Sequence, residues 1–457
     1  MSNFRSVDRH TAYLLPPSVD EWLPQDHLAR FIVEVVDGLD LRAMVSAYGG
    51  RGSAAYHPSL LLSLLLYGYA TGVFSSRKIE RATYDSVAFR FIAAGSHPDH
   101  DTLAAFRRRF LDELAGLFVQ VLDVAQEMKL LKLGTISLDG TKVQANASRH
   151  SALSHGYIEK REAQLQAEVQ ELLALAEQAD QSNVPDGISL PEEIQRREDR
   201  LKAMAEAKAK IEARAKARFE REQADYQAKL AAREEKQKKT GKKPGGRPPK
   251  PPTAGPQARD QINLTDEASR IMPVSGGGFE QAYNAQAAVD THSMLVMAPA
   301  VTQACNDKEQ VEPMLAQLAA LPASLGTADT LLADTGYFSA TNVAACEKAG
   351  MDPHIAVKRE RHHPPPLERF AEPMPLAEGS SPVARMTHKL QTQVGRAAYA
   401  LRKQTVEPVF GIIKSVLGFR QFSLRGLNTV SGEWALVCLA WNLKRMAVLR
   451  PKSAQWA

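Results

Sequence analysis

The stretch Tyr399 to Lys414 reads YALRKQTVEPVFGIIK, and within it Tyr399, Lys403, Glu407, Phe410 and Lys414 fall at steps of four, four, three and four. On a helix that stepping makes one stripe. A stripe of Lys, Glu and Lys headed by an aromatic suits a face that holds a metal and a phosphate together. Taken alone, it is better explained as a solvated face laced by i,i+4 Lys–Glu pairs. Two aspartates change that weighting. Asp139 closes the apolar run GTISLD and is followed by Gly140, and Asp334 closes TLLAD with Gly336 just beyond. Three carboxylates on rigid elements suffice to hold two Mg²⁺ ions about 3.5–4 Å apart, an arrangement suited to in-line attack at phosphorus. Mg²⁺ takes oxygen ligands, so no His or Cys cluster is needed.

The elements that must position these groups are legible around them. In residues 134–139, Ile136 and Leu138 alternate with Thr135, Ser137 and Asp139, the period of a strand. An Asp at a strand end before a Gly turn is held on rigid backbone yet stays reachable; the bland alternative is an ordinary turn-forming Asp-Gly. Phe279 to Asp290 and Met294 to Val301 read as strands joined by a hairpin at Thr291-His292-Ser293. Asn306-Asp307 is expected to cap an amphipathic helix running to about Leu321. Thr330 to Asp334, a helix capped by Ser339 and ending at Gly350, and a strand at His354 to Val357 form a strand–helix–strand unit. Asp334 then stands at the carboxyl end of its strand, where open α/β sheets place ligands. Residues 358–395 are rich in Pro and His and read as irregular. Pro408 predicts either a kink after Glu407 or a helix start close to it. Ser431 to Arg445 reads as a final amphipathic helix with Trp434 and Trp441.

Residues 1–130 read as a helical domain. His27 onward has helical spacing and stops at Gly38, and Pro58 to Gly72 is apolar on nearly all sides, as a buried helix is. Ser75-Ser76 is expected to cap a helix bearing Arg77, Lys78 and Arg81, and Asp101 one bearing Arg107, Arg108 and Arg109. Such arginines fit a DNA-binding module or the solvated face of a plain bundle equally well. His97-Pro98-Asp99-His100-Asp101 is read as a loop and helix cap rather than a metal site. In residues 156–240, Ile158, Leu165 and Leu172 repeat every seven, as do Met204 with Ile211 and Phe219 with Tyr226. With a turn at QSNVPDG and a capping box at Ser189-Leu-Pro-Glu192, this is an antiparallel helical hairpin, partly coiled coil. It ends in the basic linker KKTGKKPGGRPPKPP, where Gly246-Arg247-Pro248 looks like an AT-hook core but has only one basic flank, which favours a plain linker.

Bulk properties narrow the class. The chain has 457 residues, enough for two or three domains, and is 44% hydrophobic and 24% charged, as soluble globular proteins are. The longest apolar run, at Leu60 to Tyr67, is too short to span a membrane, and the first ten residues lack an apolar signal core, so a cytoplasmic protein without membrane contact is expected. Cys305, Cys346 and Cys438 form no CxxC pair, so neither a disulfide framework nor a zinc finger is suggested. Net charge is +5. Its distribution says more: residues 401–450 hold eight Lys or Arg against Glu407 and Glu433, and residues 231–250 hold eight against Glu234 and Glu235. Clustered positive charge is the footprint of phosphate contacts.

Asp139 on a first strand, Asp334 on a later one and Glu407 on a helix after the sheet match the order of an RNase H-like core. With that order, the chain resembles the DDE transposases of bacterial insertion sequences. The likeness is carried by Leu138-Asp139-Gly140-Thr141, by Ala333-Asp334-Thr335-Gly336-Tyr337, and by Tyr399, Arg402, Glu407 and Lys414, which are similar to that group's Tyr–Arg–Glu–Lys signature. YHPSLLLSLLLYGYATG, DHDTLAAFRRRF, GFRQF and EWALVCLAWNLKRM extend it over nearly the whole chain. The resemblance implies an α/β fold: an RNase H-like mixed sheet over 131–155 and 260–430, interrupted at 156–259 by the helical hairpin and linker, with an all-α, DNA-binding domain at 1–130 and a C-terminal helix at 431–457. It implies Asp139, Asp334 and Glu407 as catalytic ligands of two Mg²⁺, with Mn²⁺ as a substitute. Lys414, Arg420, Arg425 and either Arg402 or Lys403 would bind DNA phosphates, and Tyr399 would stack on a base or close the site. The strict Arg-to-Glu spacing falls on Lys403, with Arg402 one residue early. Double-stranded DNA, as element ends and target, is the implied partner, bound by a homo-oligomer. A catalytically inactive DNA-binding relic or repressor, and an RNase H-like nuclease without strand transfer, are the alternatives.

Overall fold

The computed structural model describes residues 18–49, 54–179, 189–241, 245–274, 276–358, 371–377 and 379–451. The helices α1 (Val19–Trp22), α2 (Leu28–Asp37), α3 (Arg42–Ser46), α4 (Pro58–Ala70), α5 (Ser76–Asp85), α6 (Val87–Ile92), α7 (His100–Arg109) and α8 (Glu113–Glu127) come first. Then follow β1 (Thr135–Gln144), β2 (Ala152–Ser154), α9 (His155–Ala179), α10 (Leu190–Thr240), β3 (Gln261–Asn263), β4 (Arg270–Pro273), β5 (Phe279–Asp290) and β6 (Val296–Thr302). The chain closes with α11 (Val311–Ala319), β7 (Thr330–Ala333), α12 (Ala340–Lys348), β8 (Asp352–Ile355), α13 (Pro382–Gln391), α14 (Gln393–Gly411) and α15 (Leu427–Leu449). Two compact units divide it: Met1–Ala145 with Met272–Gly277 and Ala282–Ala457, and Asn146–Ile271 with Gly278–Gln281.

The first unit is built on a mixed sheet in which β5 lies between β6 and β1, and β1 continues to β7 and β8. β6, β5 and β1 pair antiparallel, whereas β1–β7 and β7–β8 are parallel. β1 is therefore central, and it does not close at Asp139 as its pattern suggests: it runs on to Gln144, with Asp139 and Gly140 paired to Ala287 and Gln286 of β5 instead of turning. Ile136, Ser137 and Leu138 are all fully buried, because both faces of the sheet are covered. β5 is buried from Gln281 to Asp290, and its alanines present a flat surface to the layers on either side. The hairpin between β5 and β6 stands where the sequence puts it.

The helix α15 packs on β6 and on α4 and α8. It is longer than its sequence pattern suggests and is buried nearly all round between Trp434 and Leu443, not amphipathic, because sheet and helices press on it together. Trp434 Nε1 donates to Gln286 O at 2.9 Å, and the Asn442 amide bridges both backbone groups of Val296 at 2.8 Å. The apolar run of α4 is buried along almost its whole length, as expected. Several caps differ from expectation. Asp99, not Asp101, caps α7, accepting from Thr102 N at 2.7 Å, and Ser75 makes no capping bond. Residues 382–391, within the stretch expected to be irregular, form α13, with Pro382 in its first turn and Ser381 Oγ accepting from Ala384 N.

In the second unit α9 and α10 run antiparallel, with β2 paired to β3 at their base. Ile158, Leu165, Met204, Ala207, Ile211 and Ile262 form a core of its own. The heptad seam is short: Phe219 and Tyr226 are only partly buried. Ser189 starts α10 without a capping hydrogen bond, and the predicted turn at 181–187 lies outside the described residues.

Candidate active site

The site is assembled first by strand register. Leu138 pairs with Ala333 at the end of the parallel ladder, so the next residue on each strand is an aspartate, Asp139 beside Asp334. Local backbone orients both carboxylates. Asp139 Oδ1 accepts from Gly140 N, and Asp334 Oδ1 accepts from Gly336 N, each at 2.8 Å, the latter as the cap of a tight 3₁₀ turn at Thr335–Tyr337. The helix α14 packs across β1 and β7. It delivers Arg402, which is 8% exposed, to the centre of the cluster. Arg402 Nη1 lies 2.5 Å from Glu407 Oε1, and Nη2 lies 3.3 Å from Asp139 Oδ2 and 3.8 Å from Asp334 Oδ2. One guanidinium thus meets three carboxylates from three separate elements. Lys403 is exposed, since the next residue of a helix is turned about 100° away.

Pro408 sits inside α14, not at its start, and a π-helical turn, Ile412–Val416, follows. Lys414 lies in that turn and its Nζ donates to Thr141 Oγ1 at 3.1 Å and to Lys142 O at 2.9 Å. Thr141 is two residues beyond Asp139 on β1 and so shares its face. Tyr399 is half-buried one turn before Arg402 and close enough to bear on its charge. Arg420 and Arg425 are exposed, and Arg420 Nε donates to Lys414 O at 3.0 Å.

Burial dominates the electrostatics. It pushes the Asp139 carboxyl up to about 7, against the pull of Arg402 and with the repulsion of Asp334 and Asp307 added. Burial also opposes the charge of Arg402, but Asp139, Tyr399, Asp334 and Glu407 together hold it more firmly protonated than usual. As they stand, no three acidic, His or Cys side chains among the described residues gather closely enough to hold a metal ion. Arg402 occupies the point on which the carboxylates converge. A cation is therefore stabilised at that point, and the all-oxygen donor set fits a hard divalent ion that takes the guanidinium's place. Arg402 Nε is buried without a hydrogen-bond partner among the described residues, a donor left over for an anion.

A further polar cluster was not anticipated. Asp307, expected to cap a helix, instead turns inward: its Oδ1 accepts from Asn284 Nδ2 at 2.6 Å and Gln286 Nε2 at 2.7 Å, and Lys142 Nζ stands 3.8 Å away. The buried Tyr337 hydroxyl donates to Gln286 Oε1, which fixes that amide's orientation. Gly140 leaves room for the cluster, since a Cβ there would lie 2.2 Å from Gln286 Nε2 and 2.6 Å from Asp307 Oδ1. One signal was present in the sequence: Asn284 and Gln286 interrupt an alanine-rich strand, and both are fully buried.

Residues 253–443 match the family model of the transposase DDE domain, and residues 17–109 match that of a transposase domain, DUF772. The chain belongs to the DDE transposases. No curated protein and no solved structure matches it. Family membership makes this transposase an enzyme that acts on DNA, and its mixed sheet is RNase H-like. Asp334, Arg402, Glu407 and Lys414 lie inside the DDE match. Asp139 lies outside both matches, and the ladder with β7 is what brings it to the others. No described helix is long and apolar enough to cross a membrane.

Proposed function

We propose that this transposase cleaves DNA at the ends of an insertion sequence and joins the freed 3′-OH to target DNA, in the cytoplasm, as a homo-oligomer bound to its DNA. The observation that carries the reading is the meeting of Asp139, Asp334 and Glu407 on Arg402. In this reading the three carboxylates hold two Mg²⁺, or Mn²⁺ in their place. Bound ions supply Lewis-acid stabilisation of the charge that builds on the scissile phosphate.

The chain's own residues do the rest. Asp139, from the middle of β1, and Asp334, from the end of β7, present fixed oxygens on rigid backbone, so little reorganisation is needed at the moment of reaction. Arg402 turns its guanidinium from the carboxylates to a phosphate oxygen, and its spare Nε–H gives that contact a second donor. Lys414, fixed on β1 through Thr141 and Lys142 O, offers a point charge beside the same strand. Arg420 and Arg425 track the DNA backbone, and Tyr399 stacks on a base near the cut.

The test uses a plasmid carrying the gene's own flanking repeats. Asp139→Asn, Asp334→Asn and Glu407→Gln should each lower cleavage at least about a thousandfold, the size of several kcal/mol of lost transition-state stabilisation, with duplex binding nearly unchanged. Activity within a few-fold of wild type in any one of them removes that residue from the site. Cleavage without joined products would leave a nuclease in place of a transposase.

A further inference from the structure

The segment between the π turn and α15, Leu417 to Leu424, carries Arg420 and is anchored at two ends. At one, Gln144 N donates to Arg420 O at 3.0 Å and Phe422 N donates to Gln144 O at 2.9 Å, so the segment extends the sheet at the end of the strand that bears Asp139. At the other, Glu433 of α15 takes its backbone N–H groups. Both Glu433 oxygens accept from Ser423 N, at 3.1 and 3.0 Å, and Oε2 accepts from Leu424 N at 2.9 Å.

Glu433 is fully buried, and its remaining contact leads to the N-terminal helices. The Tyr69 hydroxyl of α4 donates to Glu433 Oε1 at 3.3 Å and accepts from Arg107 Nη1 of α7 at 2.8 Å. Rings close over the same place: Phe419 stands 5.1 Å from Phe74 and 6.4 Å from Tyr69, centroid to centroid. Gly72, in the left-handed region at φ +83°, passes so close that a Cβ would lie 2.7 Å from Leu417 O. A buried carboxylate is a poor way to gain stability, since apolar side chains of similar volume do as well or better. What it does supply is direction, through bonds that only one placement of the segment satisfies.

We infer that Glu433 is a positioning residue: it holds the Phe419–Leu424 segment on the end of β1, so that Arg420 meets the DNA backbone at the far end of the strand that bears Asp139, and through Tyr69 and Arg107 it ties that placement to α4 and α7. Its DNA half rests on the proposed function; its structural half does not.

The two halves are read separately on the full chain. Hydrogen–deuterium exchange of peptides covering 419–425 is compared in wild type, Glu433→Gln, Tyr69→Phe and Val437→Ala, the last a buried cavity on the same helix that controls for general loosening. Glu433→Gln should speed exchange there at least about tenfold, as expected for lost bonds to a charged acceptor, with α15 itself unchanged. Tyr69→Phe should do so more weakly, and Val437→Ala should not single the segment out. In duplex binding, Glu433→Gln should weaken affinity as much as Arg420→Ala, and the double variant no more than either, because they act as one unit. Unchanged exchange in Glu433→Gln overturns the inference. So does faster exchange with unchanged binding when Arg420→Ala does weaken it. If Arg420→Ala leaves binding unchanged, the phosphate contact proposed for Arg420 is what fails, and exchange alone decides whether Glu433 holds the segment.

Discussion

Among the described residues, Arg197 and Arg402 each bridge carboxylates from more than one element and each favours their charged form, but burial reverses the outcome at one of the two sites. In the helical arm, Arg197 of α10 pairs with Glu168 of α9 at 2.9 Å and with Glu193 of its own helix at 2.6 Å, all three side chains being more than a quarter exposed. Hydrogen bonding from Arg197 holds both glutamates below the usual carboxylate range. In the sheet unit, Arg402 pairs with Asp139, Asp334 and Glu407, and yet burial drives Asp139 upward. Pairing in water costs little desolvation and steadies a helix pair slightly. Pairing under burial leaves a carboxylate whose charge is poorly tolerated even with a guanidinium beside it. The sign of the shift, more than the count of ion pairs, separates a structural bridge from a candidate catalytic one.

That contrast breaks most visibly on the arginines themselves. Arg402→Ala should lower DNA cleavage about a hundredfold, the range for removing one preorganised donor from a charged transition state. Arg197→Ala should leave cleavage unchanged. Equal losses in both, measured on the same plasmid, would erase the distinction. Next in size is the arm's own core. Met204 is almost completely buried, and Met204→Ala should cost about 2–4 kcal/mol locally. Limited proteolysis should then cut within residues 155–240 while the sheet unit stays resistant; cleavage spread over both units would mean that the two do not melt separately. The smallest effect is acid loosening of the arm. Glu168, Glu193 and Asp260 all titrate below their ordinary values, so their contribution is complete above those values, 4.5 for Glu and 3.8 for Asp, and is lost as the pH falls through the lowered ones. Helical circular dichroism should hold down to about pH 4.5 and decline below it. A decline beginning near neutrality would place the sensitive groups elsewhere.

Much of this was legible in the sequence because period and chain order report on strands directly. The bounds of β5, the hairpin after it and Asp334 at the end of β7 follow from the strand pattern and from Gly turns, whereas Asp139-Gly140, which reads as a strand end and turn, lies in the middle of β1 because β5 pairs with it on to Gln144. Ser339 caps α12 as expected, accepting from Asn342 N at 3.0 Å. The helix α14 was harder. Steps of four favour Lys403 as the partner of Glu407, yet Arg402 makes the contact across five residues, since its long side chain folds back to the carboxylates while Lys403 faces water. Asp307 escaped for a different reason. An Asn-Asp pair before an amphipathic run is a good helix cap, and only the buried amides of Asn284 and Gln286, contributed by a strand about twenty residues earlier, draw it inward. Local patterns do not encode such long-range polar partners.

The central claim is that Asp139, Asp334 and Glu407 form one cation site that Arg402 fills when no metal is bound. Mn²⁺ binding to the DNA-free protein, followed by the loss of the free-ion electron paramagnetic resonance signal, tests it most directly. Each of Asp139→Asn, Asp334→Asn and Glu407→Gln should weaken binding at least about tenfold, since loss of even an outer-shell partner of a metal costs about that much. Arg402→Ala should bind Mn²⁺ more tightly than wild type, because a competitor for the same oxygens has been removed. Titrations that superimpose for wild type and all four variants would contradict the account.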